Sequence, residues 1–463
     1  MKLRNNISLL AVAVLSVSML GSCGLYKKFE MPTEESALAA DYAKAVSQGV
    51  DSAAFGNLKW EQVFTDPMLA DLINQALANN TNLQNAKLNV DMAQAQLKGA
   101  KLAYFPSVAL APNGAGASYS GNTFSWSYQL PLSVSWEVDI FGKLLNSKRG
   151  AQAAVLQSEA YAQAVRSQIV GGVAACYYSI AALENQLTLS RSTAEIWKEN
   201  VQVMKDLKLA GRVNESAVVQ SSAQYYSILA SITDLEVGLV QANNTMSLLL
   251  NVMPQKWNVS PDATLTAPEM LRDAIPMREL AARPDVRAAE QTLASAYYAT
   301  NSARAAFYPG LNITANGGFT NLLGSMIVNP GDWFVQLAGS LTAPLFSRGA
   351  NIARLEAAKA QQKQAMNSFE YALLSASAEV SDAMTVYEKS TEKQILLQSQ
   401  IENLEKSVEI TKELLSLGGY NTTYLEVLTA QQSLLGAQIS KINSELSRAQ
   451  AVINLYQSLG GGR

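Results

Sequence analysis

Residues 350–417 read ANIARLEAAKAQQKQAMNSFEYALLSASAEVSDAMTVYEKSTEKQILLQSQIENLEKSVEITKELLSL, and Gly418-Gly419 follows at once. These 68 residues contain neither Gly nor Pro. Apolar residues recur every three or four positions, as Leu373, Ala376, Val380, Met384 and Tyr387, then as Leu397, Ile401, Leu404, Val408 and Leu415. That spacing puts each set on one helix face, broad enough to bury. At ~1.5 Å per residue the stretch makes a rod of ~100 Å. Helices of compact domains run only ~8–20 residues, so this is not the helix of a globular enzyme.

The rod has an earlier echo. Ala151 to Ala210 is again helix-like, interrupted only by Gly171-Gly172, and ends at Gly211. Ala-Lys-Leu-Ala-Tyr-Phe-Pro at 100–106 matches Ala-Arg-Ala-Ala-Phe-Tyr-Pro at 303–309, and Asn113-Gly114 matches Asn316-Gly317. After the rods, Ala223-Gln224 matches Ala430-Gln431. Self-similarity at a fixed period marks a repeated unit. The chain therefore reads as one unit of roughly 200 residues, duplicated. The expected divisions are 1–22, 23–60, a first repeat over 61–263 and a second over 264–463.

Composition narrows the function classes. Charge is mixed, 35 Lys and Arg against 38 Asp and Glu, so nothing points to nucleic acid. There is no His, the commonest general base and metal ligand. The two Cys, Cys23 and Cys176, are too few for a disulfide scaffold and lack metal-type spacing. Cys176, in an Ala-rich helical run, reads as a small packing residue. No metal and no cofactor is expected.

Met1 to Ser22 reads as an export signal, with Lys2 and Arg4 ahead of a short apolar run from Ile7 to Leu20. Leu20-Gly21-Ser22-Cys23 has the lipobox pattern, small residues before a Cys that is acylated and becomes residue one. The alternative is an ordinary signal peptide with a chance Cys. Gly24 is not acidic, unlike an inner-membrane retention signal, which favours the outer membrane. Acyl chains add ~0.8 kcal/mol per buried CH₂, so a multiply acylated Cys is a firm anchor. Residues 24–60 look extended and irregular. Helices are predicted from Asp66-Pro67, with a break at Asn79-Asn80-Thr81, ending at Phe105-Pro106.

Residues 107–140 change character. Phe124-Ser125-Trp126-Ser127-Tyr128 and Leu132-Ser133-Val134-Ser135-Trp136 alternate apolar and polar, the period of a strand. Strands are predicted at about 107–118 and 124–139, and in the second copy at about 310–320 and 333–345. Strands of ~10 alternating residues with aromatic ends are the signature of a transmembrane barrel; a small soluble sheet is the competing reading. Four strands cannot close a barrel, and membranes forbid open edges, so spanning strands require an oligomer. Past the export signal no segment has 18 unbroken apolar residues, which excludes a transmembrane helix.

Long helices are predicted at about 143–210 and 350–417, with return helices at about 212–250 and 420–458. The helices at 80–103 and 283–306, added to the return helices, come to about 63 residues per copy, or ~95 Å, which would match one rod. Residues 251–284 hold five of the 13 prolines and read as a connecting collar with a short helix near 269–281. Gly460-Gly461-Gly462 reads as a loose end.

These features together resemble the outer-membrane efflux ducts, the TolC-like and OprM-like outer membrane factors, over nearly the whole chain past Cys23. The likeness is closest to the lipidated branch that works with resistance-nodulation-division (RND) pumps. Its most specific pieces are Arg283-Pro284-Asp285-Val286-Arg287-Ala288-Ala289-Glu290, Trp136-Glu137-Val138-Asp139-Ile140-Phe141-Gly142, Tyr424-Leu425-Glu426-Val427-Leu428 and Leu455-Tyr456-Gln457-Ser458-Leu459-Gly460-Gly461-Gly462. The resemblance implies a mainly α fold with a membrane β-barrel. Four transmembrane strands and long coiled-coil helices per chain would close, as a homotrimer, into a 12-stranded barrel on an α-helical periplasmic tunnel. It also implies a periplasmic adaptor, an inner-membrane RND pump and outer-membrane lipid as partners.

The helix turns are where such a tunnel narrows. Gly211 and Arg212 in the first turn, with Gly418, Gly419 and Tyr420 in the second, are good helix ends in their own right. The resemblance adds adaptor docking and a gate. In relatives two acidic positions after the second turn ring the constriction. Glu426 fits the first of them, and Thr429 stands at the second, which departs from a double acidic ring. Glu426 reads equally as gate residue or solvated face. Gly171-Gly172 costs ~1 kcal/mol per Gly inside a helix, so close helix approach or a bend is expected there. Ser390-Thr391-Glu392-Lys393 fits Ser-x-x-Lys but lies mid-rod without its partner motifs. Gly114, Gly116 and Gly121 miss the dinucleotide-binding spacing.

The expected protein is not an enzyme. It is a lipid-anchored outer-membrane duct that passively conducts small molecules such as drugs, detergents and bile-salt-like compounds. The alternatives are a duct for secreted proteins or peptides (type I secretion) and a periplasmic coiled-coil structural lipoprotein without a pore.

Overall fold

The computed structural model describes residues 25–34, 36–48, 58–118, 124–260, 263–265, 277–321, 332–344, 346–416 and 424–461. The elements run α1 Ala37–Ser47, α2 Trp60–Val63, α3 Pro67–Asn79, α4 Thr81–Leu102, β1 Ser107–Leu110, β2 Asn113–Ala117, β3 Ser125–Val138, α5 Lys143–Leu209 and α6 Glu215–Leu249. They continue as α7 Met277–Ala281, α8 Pro284–Ala305, β4 Gly310–Asn321, β5 Asp332–Thr342, α9 Ala350–Ser416 and α10 Tyr424–Ser458. The duplication is plain in the lengths. α4 and α8 each have 22 residues, α5 and α9 67, α6 and α10 35. The shorter pair in each copy, 22 and 35 residues, falls short of the 67-residue rod.

Local chemistry explains the boundaries. Asp66 accepts from Met68 N at 2.9 Å, and Pro67 takes the first helical position, where no N–H partner is needed. Asn80 breaks α3 from α4 and caps α4, its Oδ1 accepting from Asn82 N and Leu83 N at 2.9 and 3.2 Å. The expected irregular segment over 24–60 is corrected by α1. Five Ala favour helix there, and Ala39, Tyr42 and Ala45 are buried at helical spacing. Of the short helix expected near 269–281, only Met277–Ala281 falls among the described residues.

Of the faces that periodicity assigned on α9, Met384, Tyr387, Leu404 and Val408 are half-buried. Leu373, Ala376, Val380, Leu397 and Ile401 of α9 are all buried. α5 passes through Gly171-Gly172 without a break. A Cβ at Gly171 would overlap the Gln457 side chain of α10, whose Nε2 donates to Ser167 O at 3.3 Å. The glycine is there for close helix approach. Cys176 is a packing residue, its thiol against Ala242 O and its pKa pushed up to about 11 by burial. α5 ends in a Schellman motif. Gly211 has φ +73°, Arg212 N donates to Leu207 O and Gly211 N to Lys208 O, each at 2.9 Å. Asn214 then caps α6 by accepting from Ala217 N, and Lys208 pairs with Glu215 across the turn.

The chain forms two compact units. One comprises Met1–Ala39, Leu88–Ala160 and Arg287–Tyr371; the other comprises Ala40–Lys87, Tyr161–Val286 and Ala372–Arg463. The first holds a single antiparallel sheet in the order β1-β3-β4-β5, with β2 also on β3. The strand expected at 107–118 is two pieces, broken at Ala111-Pro112, because Pro112 has no N–H for the ladder. Both pieces lie end to end on one edge of β3, β1 against 132–135 and β2 against 125–129. The sheet is thus four strands wide.

Two substitutions test these points. Pro131 sits inside β3 opposite Gly318, and a Cβ at Gly318 would run into the Leu130 carbonyl. Gly318→Ala is expected to cost about 1–3 kcal/mol, read as lost hydrogen-exchange protection across β3 and β4. Gly211→Ala puts a side chain at positive φ, at a cost of about 1 kcal/mol. Amides over 207–212 should exchange about fivefold faster, with the global melting temperature unchanged.

Candidate functional site

The pairing register sorts the sheet residues onto two faces, since residues directly opposite share a face. On one face Val108 meets Val134 and Leu110 meets Leu132. Leu130 meets Phe319, Trp136 meets Ile313, and Val138 meets Leu311. Phe319 meets Trp333, Ala315 meets Leu337, and Leu311 meets Leu341. Every one of these is apolar. On the other face Ser133 meets Asn316, Ser135 meets Thr314, and Glu137 meets Asn312. There too Asn312 meets Ser340 and Asn316 meets Gln336. The apolar face is open: Trp333, Val335 and Leu337 are 76%, 74% and 76% exposed. Among the described residues, neither the β1/β2 edge nor the β5 edge has a partner strand.

Where β3 meets the rod, Asp139 caps α5 from upstream. Its two oxygens accept from Leu144 N at 3.1 Å and Leu145 N at 2.7 Å, and Gly142 turns the corner at φ +69°. The same corner holds the chain's first described residues. Asn146, 1% exposed, donates to Leu25 O at 2.9 Å, and Arg149 donates to Tyr26 O at 2.9 Å. Tyr26 donates to Ile140 O, and Tyr298 OH accepts from Phe29 N at 3.1 Å. This accounts physically for Trp136–Gly142. Cys23 lies outside the described residues.

In the second unit, the Arg-Pro-Asp of 283–285 is a clamp. Arg283, 5% exposed, grips Asp285 with Nε and Nη2 at 3.0 and 2.7 Å. Nη2 also reaches Glu379 at 2.7 Å, and Nη1 donates to Ser458 O at 2.5 Å. One buried guanidinium thus ties the start of α8 to the middle of α9 and the end of α10. Bidentate pairing with a carboxylate needs the planar fork of Arg.

The turn residues divide by what is described. Gly211 and Arg212 form the capped turn above, whereas Gly418, Gly419 and Tyr420 lie outside the described residues. Tyr424 and Leu428 of α10 pack in one buried cluster with Trp197 and Met204 of α5 and Val218 and Ile228 of α6. Burial pushes the Tyr424 phenol up to about 12. That packing leaves Glu426 and Thr429 on the exposed side of α10's first turns. Glu426 is in the first turn, where the helix dipole favours a carboxylate. Thr429 donates to Leu425 O at 2.8 Å, so its hydroxyl is turned back onto its own helix.

Ser390 lies mid-helix in α9, 8% exposed, its carbonyl accepting from Ser444 Oγ. Among the described residues no group of three His, Cys, Asp or Glu is placed to hold a metal. No described helix is long and apolar enough to cross a membrane.

Sequence reasoning missed the Arg283 partners, which lie 96 and 175 positions away. It also missed the Tyr424 cluster. The Asp139 cap had a readable signal, a carboxylate just ahead of a long periodic run.

The chain is 28% identical to the probable outer membrane lipoprotein SilC of Salmonella typhimurium, over 87% of this chain and 88% of that protein. It is 28% identical to the cation efflux system protein CusC of Escherichia coli K12, over 96% and 97% of the two chains. The same identity holds with the toluene efflux pump outer membrane protein TtgC of Pseudomonas putida, over 98% and 96%. Among solved structures, the outer-membrane channel OprN superposes with a TM-score of 0.83 at 26% identity, covering 95% of this chain and 99% of that one. A crystal structure of CusC gives 0.79 at 26%, covering 88% and 95%. The family model for outer membrane efflux proteins matches residues 72–252 and 275–461, one stretch in each copy of the repeat. The two-faced sheet, the paired rods and these matches converge: the chain belongs to the outer membrane efflux protein family.

Proposed function

We propose that three copies of this chain close a 12-stranded barrel in the outer membrane above an α-helical periplasmic tunnel. The assembly is the passive exit duct of a tripartite efflux system. The observation that carries this reading is the open apolar face of the sheet with its two unpaired edges. A bilayer covers the face, and two further copies satisfy the edges. Cys23 is the acylated anchor. The two repeats, 61–263 and 264–463, each supply one strand pair and one rod. The turns at Gly211-Arg212 and at Gly418-Gly419-Tyr420 dock the periplasmic adaptor, and an inner-membrane RND pump supplies the energy. No step needs a catalytic residue.

Glu426, with Thr429 one turn on, is the gate. Three-fold symmetry brings three Glu426 carboxylates together, and such a ring attracts cations. With Thr429 in place of a second carboxylate, the ring is single. The relatives bear names for both cation and toluene efflux, so the wall suits chemically unlike small molecules, and selectivity lies in the pump.

Purified protein should run as a heat-labile oligomer in detergent and give discrete conductance in a planar bilayer. A heat-insensitive monomer without conductance would leave the structural lipoprotein as the better reading. Glu426→Ala should raise leak conductance and lower cation selectivity; unchanged values would remove Glu426 from the gate. Crosslinking in cells should recover an adaptor with an RND pump. Recovery of an ATP-driven exporter instead would move the substrate class towards peptides and proteins.

A further inference from the structure

One end of the sheet carries a charge pattern that a passive duct does not need. β1 starts, β3 ends, β4 starts and β5 ends there, because Ser107 pairs with Ser135, Val138 with Leu311 and Gly310 with Thr342. At that end α4 and α8 finish, and α5 and α9 begin. Their six residues nearest the sheet, 97–102, 300–305, 143–148 and 350–355, together hold six Lys or Arg and no Asp or Glu. The whole chain carries a net charge of -3, so the excess is local. At the far ends of α5 and α9 and the starts of α6 and α10, six residues each hold three cations in all against four carboxylates.

The helix macrodipole accounts for only half of this. Lys98, Lys101 and Arg304 close α4 and α8, and a helix C-terminus favours cations. Lys143, Lys148 and Arg354 open α5 and α9, where an N-terminus favours carboxylates. These three stand against the dipole. Ion pairing does not explain the rest: among the described residues Lys27, Lys28, Lys101, Arg348 and Arg354 are exposed and pair with no carboxylate. An ordinary solvated surface intersperses both signs.

Two further observations fix the partner. Exposed rings stand at the same level, Phe105 at 67% and Phe346 at 86%, and the Lys148 ammonium lies 5.8 Å from the Tyr104 ring centre. Aromatic rings mark the depth of lipid headgroups, and clustered Lys and Arg beside a membrane segment mark anionic ones. Leu25, two residues past Cys23, is held at this level by Asn146 Nδ2 at 2.9 Å. The proposed acyl anchor therefore enters the bilayer beside Lys27 and Lys28. The collar is one piece: Phe141 stacks on Tyr308 at 4.9 Å, and Asn351 Nδ2 donates to Ala306 O at 3.1 Å. Its cations come from four helices and the N-terminal segment, spread as a layer of headgroups is and not converging on one small anion. We propose that this collar binds the phosphate headgroups of anionic phospholipids in the periplasm-facing leaflet, an assignment that rests on the membrane reading of the sheet.

The test is lipid selectivity of the full-length protein in phosphatidylcholine vesicles. A small fraction of brominated phosphatidylglycerol or of brominated phosphatidylcholine is added, and quenching of tryptophan fluorescence is read; Trp136 and Trp333 are both exposed. Phosphatidylglycerol should be enriched around the protein roughly fivefold, the effect of one basic side chain beside an anionic surface. Raising the salt should erode the preference. The combined variant Lys27→Gln, Lys28→Gln, Lys101→Gln and Arg348→Gln should melt with the wild type, since these side chains are exposed and unpaired, and should lose most of the enrichment. Equal quenching by both lipids, or enrichment unchanged in the variant, would overturn the collar and leave the membrane reading standing. Loss of the preference to inorganic phosphate, beyond the effect of matched sodium chloride, would also overturn it, in favour of a free-anion site. Quenching by neither lipid would remove the membrane reading and the collar together.

Discussion

The sheet's apolar face governs everything else in this molecule. Val108, Leu110, Leu132, Phe319, Trp333, Val335, Leu337 and Leu341 are each 44% to 76% exposed on it. Covering a large apolar side chain is worth roughly 1.5–3 kcal/mol. Scaled by the part still exposed, the eight amount to roughly 8–15 kcal/mol, on the scale of a whole domain's stability of ~5–15 kcal/mol. A surface that size does not stay wet in a stable protein. In the proposed barrel, lipid covers this face without further protein. Lipid forbids unpaired backbone at the two sheet edges, so the proposal has copies of the chain pair there.

The helical part obeys a different rule. Of the two 67-residue rods, α9 buries a narrow stripe and leaves most of its length exposed, whereas α5 is mostly buried or half-buried over 162–190, so long-range packing fixes their middles more than their ends. Termini are set instead by local devices: Asp139 and Gly142 at the start of α5, the Schellman turn at Gly211 at its end, Asn214 at the start of α6. Arg283 then joins segments that sequence keeps far apart.

What the residues reveal unaided follows the range of the interaction. The rods, the strands and the duplication are written in helical and strand periods, and these are legible from Leu373, Ala376 and Val380 or from Leu132 to Trp136. Gly171 announced a close approach, although its partner Gln457 lies far along the chain and was not readable. The strand break at Pro112 was legible in principle, since a proline gives no N–H to a ladder, but 107–118 was read as one strand. Helix α1 was missed because its Ala-rich run sits among turn-forming neighbours. The Arg283 clamp and the Tyr424 cluster depend on contacts between distant segments, and no local pattern carries them.

The central claim is that the odd-numbered face of β5 meets lipid and the even-numbered face meets water. Single cysteines introduced in turn at positions 333 to 341 of the chain in outer membranes would settle it, each probed with a water-soluble thiol reagent and with a lipid-phase quencher. Strict alternation is the predicted result. Positions 333, 335, 337 and 341 should be quenched from lipid and protected from the soluble reagent, whereas 336, 338 and 340 should label from water. Equal aqueous labelling on both faces would contradict the claim, and the sheet would then be a soluble one.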